Sequence, residues 1–375
     1  MPERKQLHII SHDVPWPPDY GGVVDLLYKL KALFEKGVEI QLHCFDYGRG
    51  RHPELEHYCK EVNYYERITG WKGISFSMPY IVNSRANEKL LKNLLADDVP
   101  VLMEGIHCTA FLRQLLKENR DVFLRLHNVE CLYYSQLFQR ETNFFRKIYF
   151  LNESIFLRHY EKRLPDDLPV IAVSPNDAAF YRHELDKKST TYLPVFIPYK
   201  EVLCKEGIGN YCLYHGNLSV IENEKAVIWL IDKVFSKIKI PFVIAGKNPS
   251  KKLLRKVEHA EQTEIVINPA ENDLKELISN AQIHVLPSFN NTGIKLKLIN
   301  ALFNGRHCVV NEAAVAGTGM EPTCHIGTSG VAFASIITQL YNQPFGDEEI
   351  RLRKKILTQL FNNDENADKL IQLIW

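Results

Sequence analysis

The stretch that most constrains this chain is His284–Val310, HVLPSFNNTGIKLKLINALFNGRHCVV. An apolar run, His284 to Leu286, breaks at Pro287-Ser288-Phe289-Asn290-Asn291. Proline and paired asparagines are turn residues, so a strand is predicted to end there. Thr292 is predicted to cap a helix starting at Gly293, and Gly305 to close it as a left-handed C-terminal cap. Cys308–Val310 follows as a second short strand. A strand–loop–helix–strand unit of about thirty residues is what a right-handed parallel crossover requires.

The helix in this unit is apolar on most sides. At roughly 100° per residue, Lys297, Asn300 and Asn304 fall on one narrow polar strip. Such a strip suits a polar cleft. The Thr292-Gly293-Ile294 turn is expected to aim backbone N–H groups into it, and N–H groups at a helix start beside a cation suit a phosphate. The alternative is an ordinary buried helix with one solvated edge.

The same unit recurs along the chain. Leu7–Ile10 is predicted as a strand, followed by a proline-rich loop closed by Gly21-Gly22 and a helix over about Val23–Lys36 with Leu26, Leu27, Leu30 and Leu33 as its apolar stripe. Further predicted strands end at Glu104, at Leu126 just before His127-Asn128-Val129-Glu130, and at Val173 before Ser174-Pro175-Asn176-Asp177, where Asn176 or Asp177 could cap the next helix. Phe144–Leu164 is a long predicted helix. After a proline-containing polar stretch the pattern restarts. Strands end at His215-Gly216-Asn217 and Gly246-Lys247, and Gly330–Tyr341 and Asp347–Trp375 are predicted terminal helices. Strands alternating with helices in two blocks give an α/β protein with two doubly wound parallel sheets, whose ligands bind at the strands' carboxyl ends. The expected division is a first Rossmann-like domain over 1–195, a linker over 196–208 and a second Rossmann-like domain over 209–355. A C-terminal helix over 356–375 is expected to pack back on the first domain. The two domains are expected to face a central cleft.

Size and composition agree. A chain of 375 residues is long for one core. A formal net charge of +1 gives no broad attraction for nucleic acid. Met1–Ile10 lacks the apolar core of a signal peptide, and no apolar run reaches the ~18 residues needed to cross a bilayer. A cytoplasmic protein is expected, with a possible peripheral place at the inner face of a membrane. The eight cysteines form no CxxC pair and are expected to be free thiols. The fourteen histidines form no HxH or HExxH motif, so no bound metal or cofactor is expected.

The ordered set PPDYGG, RLHNVE, AVSPND, YHGNLSVIENEKAVIWL, FVIAGK and PSFNNTGIKLKLINALFNGRHCVV resembles the retaining glycosyltransferases of family four, which have the GT-B fold. It lies nearest the subgroup whose last motif runs GxGIKxKxxEALxxGxPVV. The resemblance covers nearly the whole chain. It implies a nucleoside-diphosphate-sugar donor bound mainly by the second domain, a glycan or lipid-linked acceptor on the first, and transfer without a metal. Cell-surface polysaccharide or glycolipid synthesis is the implied setting. One departure stands out: the family's two glutamates, separated by seven residues, fall at Thr292 and Asn300. A hydroxyl and an amide can still bond sugar hydroxyls, without the charge-assisted strength of a carboxylate.

By this resemblance His127 bonds the transferring sugar or the reaction centre. Lys247 and Lys297 neutralise the leaving diphosphate, with Gly216 and Asn217 beside it. Asn300 holds the ribose, and Thr292, Gly293 and Ile294 hold sugar or phosphate. Gly21 and Gly22 give close approach to donor or acceptor, or form a plain turn. Asp25 orients an acceptor hydroxyl or is a solvated helix residue. Glu130 polarises an acceptor hydroxyl or caps a helix, and Glu104 is a candidate of the same kind. The basic, aromatic helix 144–164 either lies on a membrane surface or covers the first sheet. The competing functions are a catalytically impaired GT-B sugar-nucleotide-binding or scaffold protein and a sugar-nucleotide epimerase of the same fold.

Overall fold

The computed structural model describes residues 5–75, 77–141, 143–290 and 292–375. Asn291, part of the turn expected before the central helix, lies outside the described residues, as do residues 1–4. The chain divides into two units. The first comprises Met1–Pro198, Thr292–Ile294 and Phe361–Trp375; the second comprises Tyr199–Asn291 and Lys295–Leu360.

The first unit is built on seven strands: β1 (Gln6–Ser11), β2 (Glu39–Phe45), β3 (Glu61–Tyr65), β4 (Val101–Glu104), β5 (Val122–Leu126), β6 (Val170–Ala172) and β7 (Thr190–Tyr192). They form one sheet in the order β3-β2-β1-β4-β5-β6-β7, and every pairing is parallel. β4 and β5 are buried along their whole length, as strands covered on both faces must be. One face is packed by the helix Gly21–Glu35 through Leu26, Leu27, Leu30 and Leu33. The C-terminal helix Asn363–Ile374 adds Ala367, Leu370 and Ile374 to the same core, and Lys36 pairs with its Asp364 and Asp368. At the end of the first unit's main segment Val195, Phe196 and Ile197 are buried, and Asn363 bonds both the N–H and the carbonyl of Ile197.

The second unit has six strands, β8 (Cys212–Asn217), β9 (Phe242–Lys247), β10 (Thr263–Ile267), β11 (Ile283–Val285), β12 (His307–Val310) and β13 (His325–Ile326). Their order is β10-β9-β8-β11-β12-β13, again parallel throughout. In both sheets the order reverses once, between β1 and β4 and between β8 and β11. In open parallel sheets such switch points are where ligands bind, beyond the strands' carboxyl ends.

Several local expectations are corrected. The central helix runs Leu296–Asn304 and does not start at Gly293; its N-cap is Lys295, and Thr292 is not its cap. Gly293 adopts φ +63°, which a right-handed helix cannot accommodate. Gly305 is not a left-handed cap either. Its φ is −115° and ψ 176°, and a Cβ there would lie 1.9 Å from His284 Nε2. Glycine is required at 305 by close packing, not by backbone conformation. Gly21 and Gly22 belong to the first turn of the helix Gly21–Glu35 and not to the preceding loop. Ser174, rather than Asn176 or Asp177, caps the helix Pro175–His183 by accepting from Asp177 N. The predicted Asp347–Trp375 helix is two helices, Asp347–Leu360 and Asn363–Ile374, because Asn362 caps a new start through Asp364 N and Glu365 N.

Candidate active site

In the first unit, sheet register assembles the site. Ser11 pairs with Glu104, and Glu104 with Arg125, so the ends of β1, β4 and β5 lie in one row. His12 and His127 follow directly from that row. The helix Gly21–Glu35 turns Asp25 and Lys29, one turn apart, into the sheet, where both are 0% exposed. Asp25 accepts from Arg125 (3.0 and 3.2 Å), Lys29 (3.1 Å) and the backbone N–H of Phe196 (2.7 Å). Asp25 is therefore neither a solvated helix residue nor available to an acceptor hydroxyl.

Lys29 also donates to Glu104 Oε1 at 2.6 Å, and Glu104 Oε2 meets His127 Nε2 at 2.9 Å. Burial alone would raise the Glu104 carboxyl. Lys29 and His127 overturn that and hold it below its ordinary value, so Glu104 remains an ionised acceptor. Asp25 is likewise held low against burial, by Arg125 and Lys29. An ionised carboxylate can only accept, so His127 Nε2 carries the hydrogen. Two carboxylates facing two cations leave this buried cluster without net charge.

Asp25, Glu104 and His127 place ligand-type atoms within 4.8 Å of one another. A metal there would have to displace Lys29 and Arg125, so this group of donors is already occupied by cations. His127 keeps 14% of its side chain exposed, unlike its supports. Two further imidazoles stand beside it: His12 lies 6.2 Å from the His127 ring and 5.2 Å from that of His107. Burial and Arg85 drive His12 down to about 3, so it is neutral. Its Nδ1 is buried and without a partner among the described residues. Gly22 approaches this group; a Cβ there would sit 3.2 Å from His12 Cε1. Gly21 is exposed.

Glu130 is separate from these groups. It starts the helix Glu130–Arg140, whose first N–H groups are taken by Glu161: Glu130 N at 3.0 Å and Cys131 N at 3.3 Å. The capping carboxylate is thus Glu161. Burial first, and Glu161 second, push the Glu130 carboxyl up to about 8. Within the same unit Gly293 N donates to Asp177 Oδ2 at 3.0 Å. A Cβ on Gly293 would fall 2.3 Å from Asn128 Oδ1 and 2.8 Å from His127 O. Thr292 is buried and Ile294 half-buried. The Gly293 N–H expected to face a phosphate is therefore already engaged.

In the second unit, Lys297 comes from the helix after β11 and reaches the end of β8. Its Nζ donates to Tyr214 Oη and Asn223 Oδ1, each at 2.8 Å, and lies 4.7 Å from the Tyr214 ring centroid. Burial, with Lys295 second, lowers the ammonium to about 7. Among the described residues no carboxylate is hydrogen-bonded to it. Asn223 also donates to Asn217 O at 2.8 Å, and Lys297 Cδ would lie 3.8 Å from a Cβ on Gly216. Gly216, Asn217 and Lys297 thus form one group at the β8/β11 switch point. Lys247 is exposed at the end of β9, paired in register with Asn217. Asn300 does not join this group through a direct bond among the described contacts. Its Oδ1 and carbonyl both accept from Asn304 Nδ2.

Sequence reasoning did not find Lys29, Arg125, Tyr214 and Asn223. Lys29 and Arg125 were hidden because an isolated cation in a helix or strand pattern is normally solvated. The i,i+4 spacing of Asp25 and Lys29 was the available clue.

Comparison with known proteins adds three kinds of finding. Residues 209–343 match the family model described as Glycosyl transferases group 1. Among solved structures, sucrose-phosphate synthase from Thermosynechococcus elongatus superposes with a TM-score of 0.74 at 15% identity, covering 99% of this chain and 98% of that one. The fold is GT-B. Two other GT-B structures agree: Staphylococcus aureus TarM in complex with fondaparinux, alpha-GlcNAc-glycerol and UDP (TM-score 0.67, 11% identity, 99% of each chain), and Anabaena HepE in complex with UDP and glucose (0.66, 13%, 98% of each chain). By sequence, an uncharacterized 44.6 kDa protein in the cps region of Klebsiella pneumoniae is 26% identical over 367 residues, covering 91% of this chain and 92% of that protein. The family match and the GT-B fold together support a glycosyltransferase.

Proposed function

We propose that this protein is a retaining, metal-independent hexosyltransferase of family four, moving a sugar from a nucleoside-diphosphate-sugar to a glycan or lipid-linked acceptor in cell-surface polysaccharide synthesis. The observation that carries the donor part is Lys297: a part-buried ammonium at the β8/β11 switch point, hydrogen-bonded to two neutral oxygens and, among the described residues, to no carboxylate. A desolvated ammonium whose nearest acid, Glu222, acts on it only through space is stabilised by an arriving anion, and a leaving diphosphate is such an anion. Lys247, Gly216 and Asn217 flank it, and Asn300 serves the ribose. UDP in two structures of the same fold supports a nucleotide donor. The cps-region relative supports the polysaccharide setting.

His127 is the group that bonds the transferring sugar or the reaction centre. With Nε2–H committed to Glu104, it is oriented by the buried ion cluster, which acts as support rather than as reactant. Attack is on the front face: the bond from the anomeric carbon to the diphosphate oxygen breaks as the acceptor oxygen bonds that carbon on the same side, and the departing diphosphate takes the acceptor proton. No carboxylate nucleophile enters this scheme, because Asp25 and Glu104 are bound to Lys29 and Arg125. The helix Phe144–Lys162 provides peripheral membrane contact for a lipid-linked acceptor.

A panel of UDP-, GDP- and ADP-sugars tests this reading, with products followed by NMR. Slow donor hydrolysis or transfer with the donor's anomeric configuration kept in the product is expected. An inverted product sinks the retaining mechanism, and neither binding nor turnover of any donor sinks the transferase. A second reading has its own observation. Thr292 and Asn300 stand where the family has glutamates, and Asn300 is bonded to Asn304. Donor binding without turnover under any acceptor would favour a catalytically impaired sugar-nucleotide-binding protein.

A further inference from the structure

The helix Phe144–Lys162 was expected to lie on a membrane or to cover the first sheet. It does cover part of the core, but with a narrow face: Glu153, Ser154, Leu157 and Glu161 are its buried residues. The rest of its surface is unusually apolar. Phe144 is 69% and Phe145 81% exposed, and Ile148, Ile155 and Phe156 are also exposed. These span about 18 Å of helix at 1.5 Å per residue. Scattered exposed apolar residues need no explanation, but a contiguous set this long does.

The helix's charges are sorted by sign. Both of its acids point inward and are in use. Glu153 accepts from Ile81 N at 2.9 Å, and Glu161 accepts from Glu130 N and Tyr181 Oη, each at 3.0 Å. Its outward charges, Arg146, Arg158 and Lys162, are all basic. A second segment, from a distant part of the sequence, extends the surface. Tyr149 on the helix meets Tyr80 edge-on at 6.4 Å, and Gly73 packs on Tyr80, where a Cβ would lie 2.8 Å from Cε2. Next to Gly73, Trp71 is 90% exposed and Ile74 is 51% exposed, with exposed Lys72 between them.

We infer that the Phe144–Lys162 helix and the Trp71–Ile74 segment form one surface that docks on an anionic phospholipid bilayer. Exposed phenylalanine and tryptophan enter the headgroup boundary, and the outward arginines and lysines meet anionic headgroups. Charge decides the occupant: an apolar helix face whose own outward charges are all basic matches an anionic surface better than a second copy of itself, which would bring like charges together. The contact is peripheral, since no helix among the described residues is long and apolar enough to cross a membrane. This deepens the lipid-linked acceptor reading and rests on it for purpose; the physics of docking does not depend on it.

The test is co-sedimentation of the full chain with vesicles of phosphatidylcholine alone and with added phosphatidylglycerol. Binding to the anionic vesicles that weakens as salt rises is expected. Arg158→Glu with Lys162→Glu should weaken it about thirtyfold or more, at about fivefold per basic residue lost near the surface. Phe144→Ser with Phe145→Ser should weaken it at least about tenfold. Both pairs should keep the melting temperature and the nucleotide binding of the parent, so that loss of docking and loss of the transferase reading are seen separately. If the serine pair unfolds, the salt dependence of the parent chain and the glutamate pair carry the test. No binding to anionic vesicles, equal binding to both compositions, or a dimer in light scattering that the serine pair dissociates would each overturn the inference.

Discussion

His127 donates its Nε2–H to Glu104 at 2.9 Å, and Glu104 is fixed in turn by Lys29 at 2.6 Å. An imidazole that keeps 14% of its side chain exposed is thus anchored to a buried ion cluster. Removing Glu104 and removing His127 should therefore have different signatures. Breaking one partner of a buried pair costs about 3–5 kcal/mol, because the other charge stays buried. Glu104→Gln should thus lower the melting temperature and reduce turnover. His127→Ala should leave the melting temperature nearly unchanged and lower kcat about 100-fold with little change in KM. Equal loss of stability in both variants would reduce His127 to a structural residue.

The pH dependence of stability separates two kinds of carboxyl. Asp25 and Glu104 are held below their ordinary values, so their contribution is present above the usual carboxylate range and is lost as pH falls through it. Glu130 is the opposite case. Its folded value, raised to about 8, lies above the ordinary value of about 4.3, so the folded state holds the proton longer. Stability attributable to Glu130 is full below about pH 4 and declines as pH rises toward about 8. Chemical denaturation at pH 5 and pH 8 should show a decline that Glu130→Gln reduces, by an amount on the order of a few kcal/mol. An unchanged slope in that variant would contradict the assignment.

Gly305→Ala tests the close approach to His284. A Cβ 1.9 Å from a ring nitrogen cannot be accommodated without movement of a fully buried side chain. A loss of about 1–3 kcal/mol is expected from overpacking. The loss should shrink when the same change is made beside His284→Ala, which opens the space. Additive losses in the double variant would show that Gly305 is needed for another reason.

Lys297 links affinity to pH. Burial lowers its ammonium to about 7, so near neutral pH part of the population is uncharged. A bound diphosphate favours the charged form and raises that value. Nucleoside diphosphate affinity should therefore strengthen as pH falls from 8 to 6, with a bend near 7. Lys297→Met should flatten that bend when calorimetry is repeated across the range. A bend that survives the substitution belongs to another group.

How much of this was visible in the sequence varies with the physics involved. Both parallel sheets could be read from alternating apolar strands and helical stripes, and the glycine and asparagine punctuation at Gly216 and Asn217 marked a strand end that the structure uses. Short edge strands such as β3 and β7 lack the long apolar run that identifies β1 or β8, and they were not seen. Helix ends were misplaced at Gly293 and Gly305 because glycine signals at least three things: a left-handed turn, a cap and a tight contact. Only the neighbouring His284 ring decides which applies at Gly305. The ion cluster was hidden for a related reason. Asp25, Lys29, Glu104 and Arg125 look like ordinary surface charges until sheet register brings Glu104 beside Arg125 and the helix turns Asp25 and Lys29 onto them.

The most direct measurement is isothermal calorimetry of UDP, GDP and ADP against the parent chain and Lys297→Met at pH 6.5. At least one nucleoside diphosphate should bind the parent, and the substitution should weaken it about tenfold or more, the worth of a charge-assisted hydrogen bond. No binding by any of the three, or equal binding with methionine at 297, would contradict a diphosphate resting on this lysine.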